Sequence, residues 1–223
     1  MLAVSFFLSL FSLNANKAFC SAIYETYGAK NYQYTKNTME AIRNHFYSLG
    51  DKSLGLQSDN NKALGVFPCR TFNLATQSVS IPHTDHNNLS HGWCSITPLG
   101  NFNPTLGGHL VLWDFKLIIE FPPGSTILIP SSFILHSNTP IQPEEIRHSI
   151  VQYASGHLYR WVKNGFLTDK EWKEQATAEQ LVEWEKEKVN RWKRAIASFT
   201  TLQELEETEE RVRATIPIKK RRL

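Results

Sequence analysis

Residues 109–137 read HLVLWDFKLIIEFPPGSTILIPSSFILHS. Short runs of Val, Ile, Leu and Phe alternate here with Pro, Gly and Ser, and no run is long enough for a helix of ordinary length. Pro122-Pro123-Gly124 separates LIIEF from STILIP and reads as a tight turn, because Pro presets φ and Gly accepts a positive φ. Upstream lies SVSIPH (78–83) and downstream HSIVQYA (148–154), both strand-like and both bounded by turn residues. Many short strands with no helix between them argue for a β-sandwich or barrel and against a parallel α/β sheet. The expected fold is mainly β with flanking helices, with a jelly roll as the natural candidate for the core.

The flanks have a different texture. Met39, Ile42, Phe46 and Leu49 recur at helical spacing, so an N-terminal helical support is expected over residues 1–65, with the polar stretch 50–65 as a loop. The β core is assigned to 66–167. A C-terminal helix and basic tail occupy 168–223, opened by a capping box from Thr168 to Glu171. Within that helix the apolar stripe from Val189 to Phe199 runs for barely two heptads, so packing on the β core is expected rather than a coiled coil.

Charge is unevenly placed in these 223 residues: 24 Lys+Arg stand against 21 Asp+Glu, a net +3 too small to select a partner class. Residues 169–223 hold 13 basic and 12 acidic side chains, which marks a solvated helical appendage beside a weakly charged body. Three cysteines without a CxxC disfavour a disulfide scaffold or zinc ribbon and fit a reducing compartment. The opening MLAVSFFLSLFSL is too short to span a bilayer and has no preceding Lys or Arg, so neither a membrane partner nor secretion is expected. Lys219-Lys220-Arg221-Arg222 reads as a nuclear localisation signal, a phosphate-contacting arm or a solvated end, and the location expected is nuclear. No feature calls for an oligomer, and a monomer is favoured.

The chemistry lies in three places. His83-Thr84-Asp85 ends the run SVSIPH, and on a strand the two outer residues would share a face. His136 follows STILIP and SSFIL, and Arg147-His148-Ser149 opens the next strand. Two imidazoles and a carboxylate suit non-haem Fe(II) and leave three coordination positions open, enough for a chelating cosubstrate such as 2-oxoglutarate together with O₂. The cosubstrate's far carboxylate would need a planar bidentate cation, Arg147, and Ser149 on the same strand face could donate to it. Alternatives stand beside this. His136 alone could be a satisfied core histidine, with His148 the next candidate ligand, and Arg147 could pair with Glu144 or Glu145. A zinc-bearing cupin would want three neutral donors, which this set lacks. His86, His91, His109, His148 and His157 read as surface or loop residues.

The stretch HTDHNNLSHGWCSITPLGNFNPTLGGHLVLWDFKLIIEFPPGSTILIPSSFILHSNTPI, followed by RHSIVQYASGHLYRWVKNGF, resembles the fungal TET/JBP-type dioxygenases that accompany Kyakuja-Dileera-Zisupton-like transposons. The resemblance covers about residues 66–167. It implies a double-stranded β-helix (jelly-roll, cupin-like) core and an Fe(II)/2-oxoglutarate-dependent dioxygenase that oxidises the methyl of 5-methylcytosine in DNA. It places His83, Asp85 and His136 on the iron and Arg147 on 2-oxoglutarate, and it puts Asn88 against the target base. The DNA partner would present that base flipped out of the helix, since an iron centre inside a jelly roll cannot reach a stacked methyl. On its residue type and place alone, Asn88 reads rather as an Asx-turn residue of the loop 87–90. Other substrates for the same chemistry are N-methyladenine, RNA or a protein side chain. A catalytically silent jelly-roll module binding DNA or a transposase is the non-enzymatic alternative.

Overall fold

The computed structural model describes residues 10–50 and 65–215. The basic cluster 219–222, the first nine residues and most of the 50–65 stretch lie outside the described residues. Two helices come first, α1 (Leu10–Tyr27) and α2 (Ala29–Ser48). Seven strands follow: β1 (Cys69–Asn73), β2 (Cys94–Asn101), β3 (Leu110–Leu112), β4 (Leu117–Ile119), β5 (Ile127–Ile129), β6 (His136–Asn138) and β7 (Ile146–Tyr153). Four helices come last among the described residues: α3 (Gly156–Lys163), α4 (Asp169–Gln175), α5 (Ala178–Ala197) and α6 (Leu202–Thr215). Among the described residues no helix is long and apolar enough to cross a membrane.

The strands form two antiparallel sheets, one ordered β1-β7-β2-β5 and the other β4-β3-β6. Cys94, Ile96 and Ile129 of the first sheet pack with Leu110 and Leu112 of the second, and with Phe121 and Ile134, in one buried cluster. The two sheets therefore face each other across a shared core, which is the jelly-roll arrangement. The Pro-Pro-Gly turn joins them as the residue types require: Gly124 has φ +83°, and Ser125 N–H donates to Pro122 O at 3.1 Å. Gly100 sits at φ +117° where β2 crosses β7, and a side chain there would run into the Ile146 carbonyl.

Two strands stand where the apolar pattern gave no warning. β1 (CRTFN) and β2 (CSITPLGN) are polar or interrupted by Pro98, yet β2 is central. Pro98 is tolerated because pairing with β5 ends at Ile96, and the Pro98 carbonyl on that edge accepts instead from Gly124 N–H at 2.8 Å. Conversely, SVSIPH is no regular strand. Residues 77–83 form an irregular crossing that touches β7 at Gln77 and β6 at His83.

α1 docks on the outer side of the larger sheet through polar groups. Gln152 is 1% exposed; it accepts from Arg70 at 2.7 Å and donates to Asn16 at 3.0 Å, while Asn16 reaches Thr97 at 3.3 Å. Cys20 and Tyr24 add the apolar part of that contact, with Tyr24 stacked on Phe67 and Trp93.

The Thr168–Glu171 capping box is present at the start of α4, and a second one, Thr177–Gln180, opens α5. The apolar stripe of α5 does not pack on the β core as expected. Val189, Trp192 and Ile196 are 68, 58 and 62% exposed, while Phe199, beyond the helix, meets Phe133 on the β side. The opposite face of α5 does the packing instead: Trp184 lies against Trp172, and Glu187 holds Lys163 of α3.

Candidate metal centre

β7 sets one wall of a cavity of about 510 Å³ between the sheets. Side chains alternate along a strand, so Arg147, Ser149, Val151 and Tyr153 line the cavity, while His148 turns outward to bond the Ala75 carbonyl. His148 is thereby removed as a ligand.

His83, Asp85 and His136 meet at the other wall. Their ligating atoms all lie within 4.8 Å of one another, and His83 Nε2 is 3.6 Å from Asp85 Oδ1. The strand argument for His83 and Asp85 does not hold, because both lie in the irregular crossing and the turn after it. What aligns them is a pair of backbone clamps. His83 and His136 exchange N–H···O bonds at 3.0 Å in both directions, and Asp85 N–H donates to Ser131 O at 2.9 Å. The crossing is thus stitched at two points to the segment that carries His136.

Both rings are oriented in the same manner. His83 Nδ1–H donates to the Ile81 carbonyl at 2.8 Å and His136 Nδ1–H to the Ile134 carbonyl at 2.9 Å. That fixes the tautomer and leaves each Nε2 lone pair for a cation. Burial is the main cause that pushes the His136 pKa below its ordinary value, with the His83 ring acting the same way and the Ile134 carbonyl and Asp85 opposing. A neutral imidazole is the ligating form. Donors bound at about 2.1 Å sit about 3 Å apart when cis, so small side-chain shifts would close this set on one ion. Two neutral nitrogens and one carboxylate oxygen fit a divalent transition metal.

Arg147 stands apart from them in the same cavity. It is 4% exposed and has no ion pair among the described residues. One guanidinium nitrogen donates to Ser78 O at 3.0 Å, and Nε is buried without a partner. Of the two acidic candidates, Glu145 is engaged elsewhere, accepting from the Asn103 and Gln142 backbone N–H groups, and Glu144 is exposed. Burial pulls the Arg147 pKa down, though a guanidinium stays charged. A buried cation with donors to spare calls for an anion in the cavity. Ser149 accepts from Asn73 Nδ2 at 2.8 Å, which leaves its hydroxyl hydrogen for a ligand.

Asn88 also lines the cavity, and its Nδ2 donates to Asp85 Oδ2 and to Ser131 Oγ, both at 3.2 Å. Ser131 and Asn73 are the polar groups that sequence reasoning missed. Ser131 sits in a Pro-Ser-Ser run that reads as punctuation, and Asn73 reaches Ser149 only through the β1–β7 register. Cys94, beneath Asp85 and Ser131, has its thiol pushed up to about 12 by burial, so it is an inert packing residue. His91 lies in a turn, as expected, but it is half-buried. Its ring stacks on Tyr34, Nδ1 is buried without a partner, and burial lowers its pKa.

No family model and no curated protein matches this chain. Solved structures with partial likeness include NgTET1 in complex with 5mC DNA, at TM-score 0.39 and 23% identity over 52% of this chain and 42% of that one. Another is the viral collagen prolyl hydroxylase of Paramecium bursaria Chlorella virus-1 in complex with 2OG, at TM-score 0.28 and 13% identity over 40% of this chain and 63% of that one. The chain thus spans about two fifths of the length of NgTET1. Likeness at this level decides nothing about chemistry, which stands on the residues of this chain.

Proposed function

We propose that this protein is an Fe(II)/2-oxoglutarate-dependent dioxygenase of the TET/JBP type that oxidises the methyl group of 5-methylcytosine in DNA. The observation that carries the proposal is the buried, unpaired Arg147 in the same cavity as His83, Asp85 and His136. A metal centre alone would fit many hydrolases and oxidases. A metal centre faced by an uncompensated guanidinium selects a cosubstrate with a carboxylate to anchor and a second group to chelate.

Iron bound by His83, Asp85 and His136 would supply the activation of O₂ needed to attack an unactivated C–H bond. The protein's own part is positioning. Arg147 takes the far carboxylate of 2-oxoglutarate in a two-pronged grip, and the Ser149 hydroxyl donates a further hydrogen bond. Ser78 O and Asn73 Nδ2 hold those two groups in place from behind. The carbonyl Oδ1 of Asn88 accepts no hydrogen bond from the described residues, so it is free for an exocyclic amine such as that of cytosine. The base enters flipped out of the duplex, because a stacked methyl lies beyond reach of the cavity floor. Work on chromosomal DNA requires entry to the nucleus, the role proposed for the basic cluster 219–222.

The test is incubation with Fe(II), ascorbate, 2-oxoglutarate and duplex DNA carrying 5-methylcytosine, read by nucleoside mass spectrometry. Oxidised cytosine nucleosides are expected, with consumption of 2-oxoglutarate. Turnover confined to matched N-methyladenine DNA, RNA or peptide would keep the chemistry and replace the substrate. No consumption of 2-oxoglutarate on any of them would overturn the enzyme and leave a binding module.

A further inference from the structure

We propose that Asn88, seated on Ser131, is a positioning residue that holds Asp85 as a one-oxygen metal ligand. The inference rests on the reading of His83, Asp85 and His136 as a metal centre. The two oxygens of Asp85 are in different company. Oδ1 lies 3.6 Å from His83 Nε2, on the side where the three ligating atoms converge. Oδ2 lies 3.2 Å from the Asn88 amide nitrogen. Only the NH₂ end of that amide can face a carboxylate oxygen, since the carbonyl end would set two acceptors, Asn88 Oδ1 and Asp85 Oδ2, against each other. The remaining N–H goes to Ser131 Oγ, so both amide hydrogens are spent inside the protein.

The arrangement is stiff because each part is held independently. Ser131 is 1% exposed, and its carbonyl accepts from Asp85 N–H at 2.9 Å. The Asn88 N–H donates back to Asp85 O at 2.9 Å, which closes the turn on the residue it orients. Beyond it, Leu89 N–H bonds Ala154 O and Gly156 N–H bonds Asn87 O, tying the turn to the end of β7 and the start of α3. Asn88 therefore cannot drift without dragging two backbone anchors with it.

The chemical consequence concerns open coordination positions. A carboxylate with two free oxygens can chelate a divalent ion and occupy two positions. With Oδ2 charge-assisted by an amide N–H, Asp85 offers Oδ1 alone and leaves three positions for cosubstrate and O₂. Asn88 thus protects the vacancy count that the proposed chemistry needs. It also narrows any contact with a base: having no hydrogen left to donate, Asn88 can only accept.

The experiment uses the full chain with Co(II) alone as probe, measured by calorimetry and by the visible spectrum, which reports coordination number. Asn88→Ala should weaken Co(II) binding by about 10- to 100-fold, the usual consequence of removing a partner that orients a ligand, and should alter the spectrum. Asn88→Asp keeps the shape, so folding is spared. It replaces the donor with a second carboxylate oxygen beside Asp85, so its spectrum should change at least as much. Ser131→Ala should shift binding in the same direction by less. A residue that only contacts DNA would leave Co(II) binding and spectrum untouched in all three variants, and that result overturns the proposal. If the unchanged protein fails to bind Co(II), the metal centre itself falls. If binding is lost in His136→Ala but unaltered in Asn88→Ala and Asn88→Asp, only the positioning role falls.

Discussion

β7 and α5 both carry a clean repeat in the sequence, and they use it in opposite ways. The period of two in β7 sends Arg147, Ser149, Val151 and Tyr153 into the cavity and Gln152 outward toward α1. Every position on the strand has a neighbour. α5 carries Val182, Val189, Trp192 and Ile196 at heptad spacing, and all four stay more than half exposed. Its packed face is instead a mixed row in which Trp184 lies against Trp172 of α4 and Glu187 holds Lys163 of α3. A repeat states which side chains share a face. It does not state what the face meets. In β7 the meeting is forced by ladders on both edges, whereas α5 is held by its caps and by one side only.

The largest effects should come from the β7 side. Arg147→Ala should weaken 2-oxoglutarate binding by about 2–5 kcal/mol, as expected when one partner of a buried charge pair is removed. Arg147→Lys should retain part of it, since a point charge replaces the fork. The comparison sharpens with Arg147→Met in the protein free of ligands. Removing a buried charge that has no anion should leave the melting temperature unchanged or raised. A drop of many degrees would mean that Arg147 is a structural prop and would break the contrast drawn here.

Next comes the junction before α5. Thr168→Ala removes the side-chain half of the α4 capping box and should cost about 1 kcal/mol in chemical denaturation. A null result would show that α4 is held by Trp172 and Trp184 packing rather than by its cap.

A smaller, pH-dependent effect should appear at His91, where the turn that carries Asn88 leaves the cavity and meets α2. Burial lowers its pKa in the folded chain. As pH falls below the ordinary histidine value, the unfolded chain takes up a proton that the folded chain refuses. Stability should therefore fall with pH from that value down to the lowered folded pKa, and remain flat above it. His91→Phe should flatten the melting temperature between about pH 7 and 5. An unaltered slope would place the titration elsewhere.

The smallest effect belongs to the exposed stripe. Val189→Lys and Ile196→Lys should each change stability by no more than about 0.5 kcal/mol, because neither side chain leaves a packed neighbour behind. A loss above about 1 kcal/mol would show that the stripe is covered in solution, and the two repeats would then be alike.

Local chemistry was legible in the sequence because it needs no distant partner. Pro122-Pro123-Gly124 turns the chain by its own φ preferences, and Thr168 caps α4 by bonds to Glu171, three residues away. The apolar runs that became β3 to β7 declared a β core with helices outside it, since alternating burial follows from the pleat. The residue types and order of His83, Asp85, His136 and Arg147 likewise pointed to the chemistry proposed above, because few side chains suit a metal and a carboxylate.

Only tertiary structure decided the rest, because the decisive partners are far apart in the chain. β1 and β2 are polar stretches that became strands through the edges of β7, and Pro98 was harmless only because β5 ends short of it. His83 and Asp85 converge through clamps to His136 and Ser131, not through strand geometry. Arg147 was free to pair with Glu144 or Glu145 on paper; burial and the capture of Glu145 by two backbone N–H groups left it without an ion pair among the described residues and lining the cavity. Asn88, read as a turn residue or a base contact, has both amide hydrogens committed to Asp85 and Ser131. Spacing along the chain identifies candidates within a few residues. Which distant group faces a side chain, and whether its charge is matched there, depends on packing across the sheets.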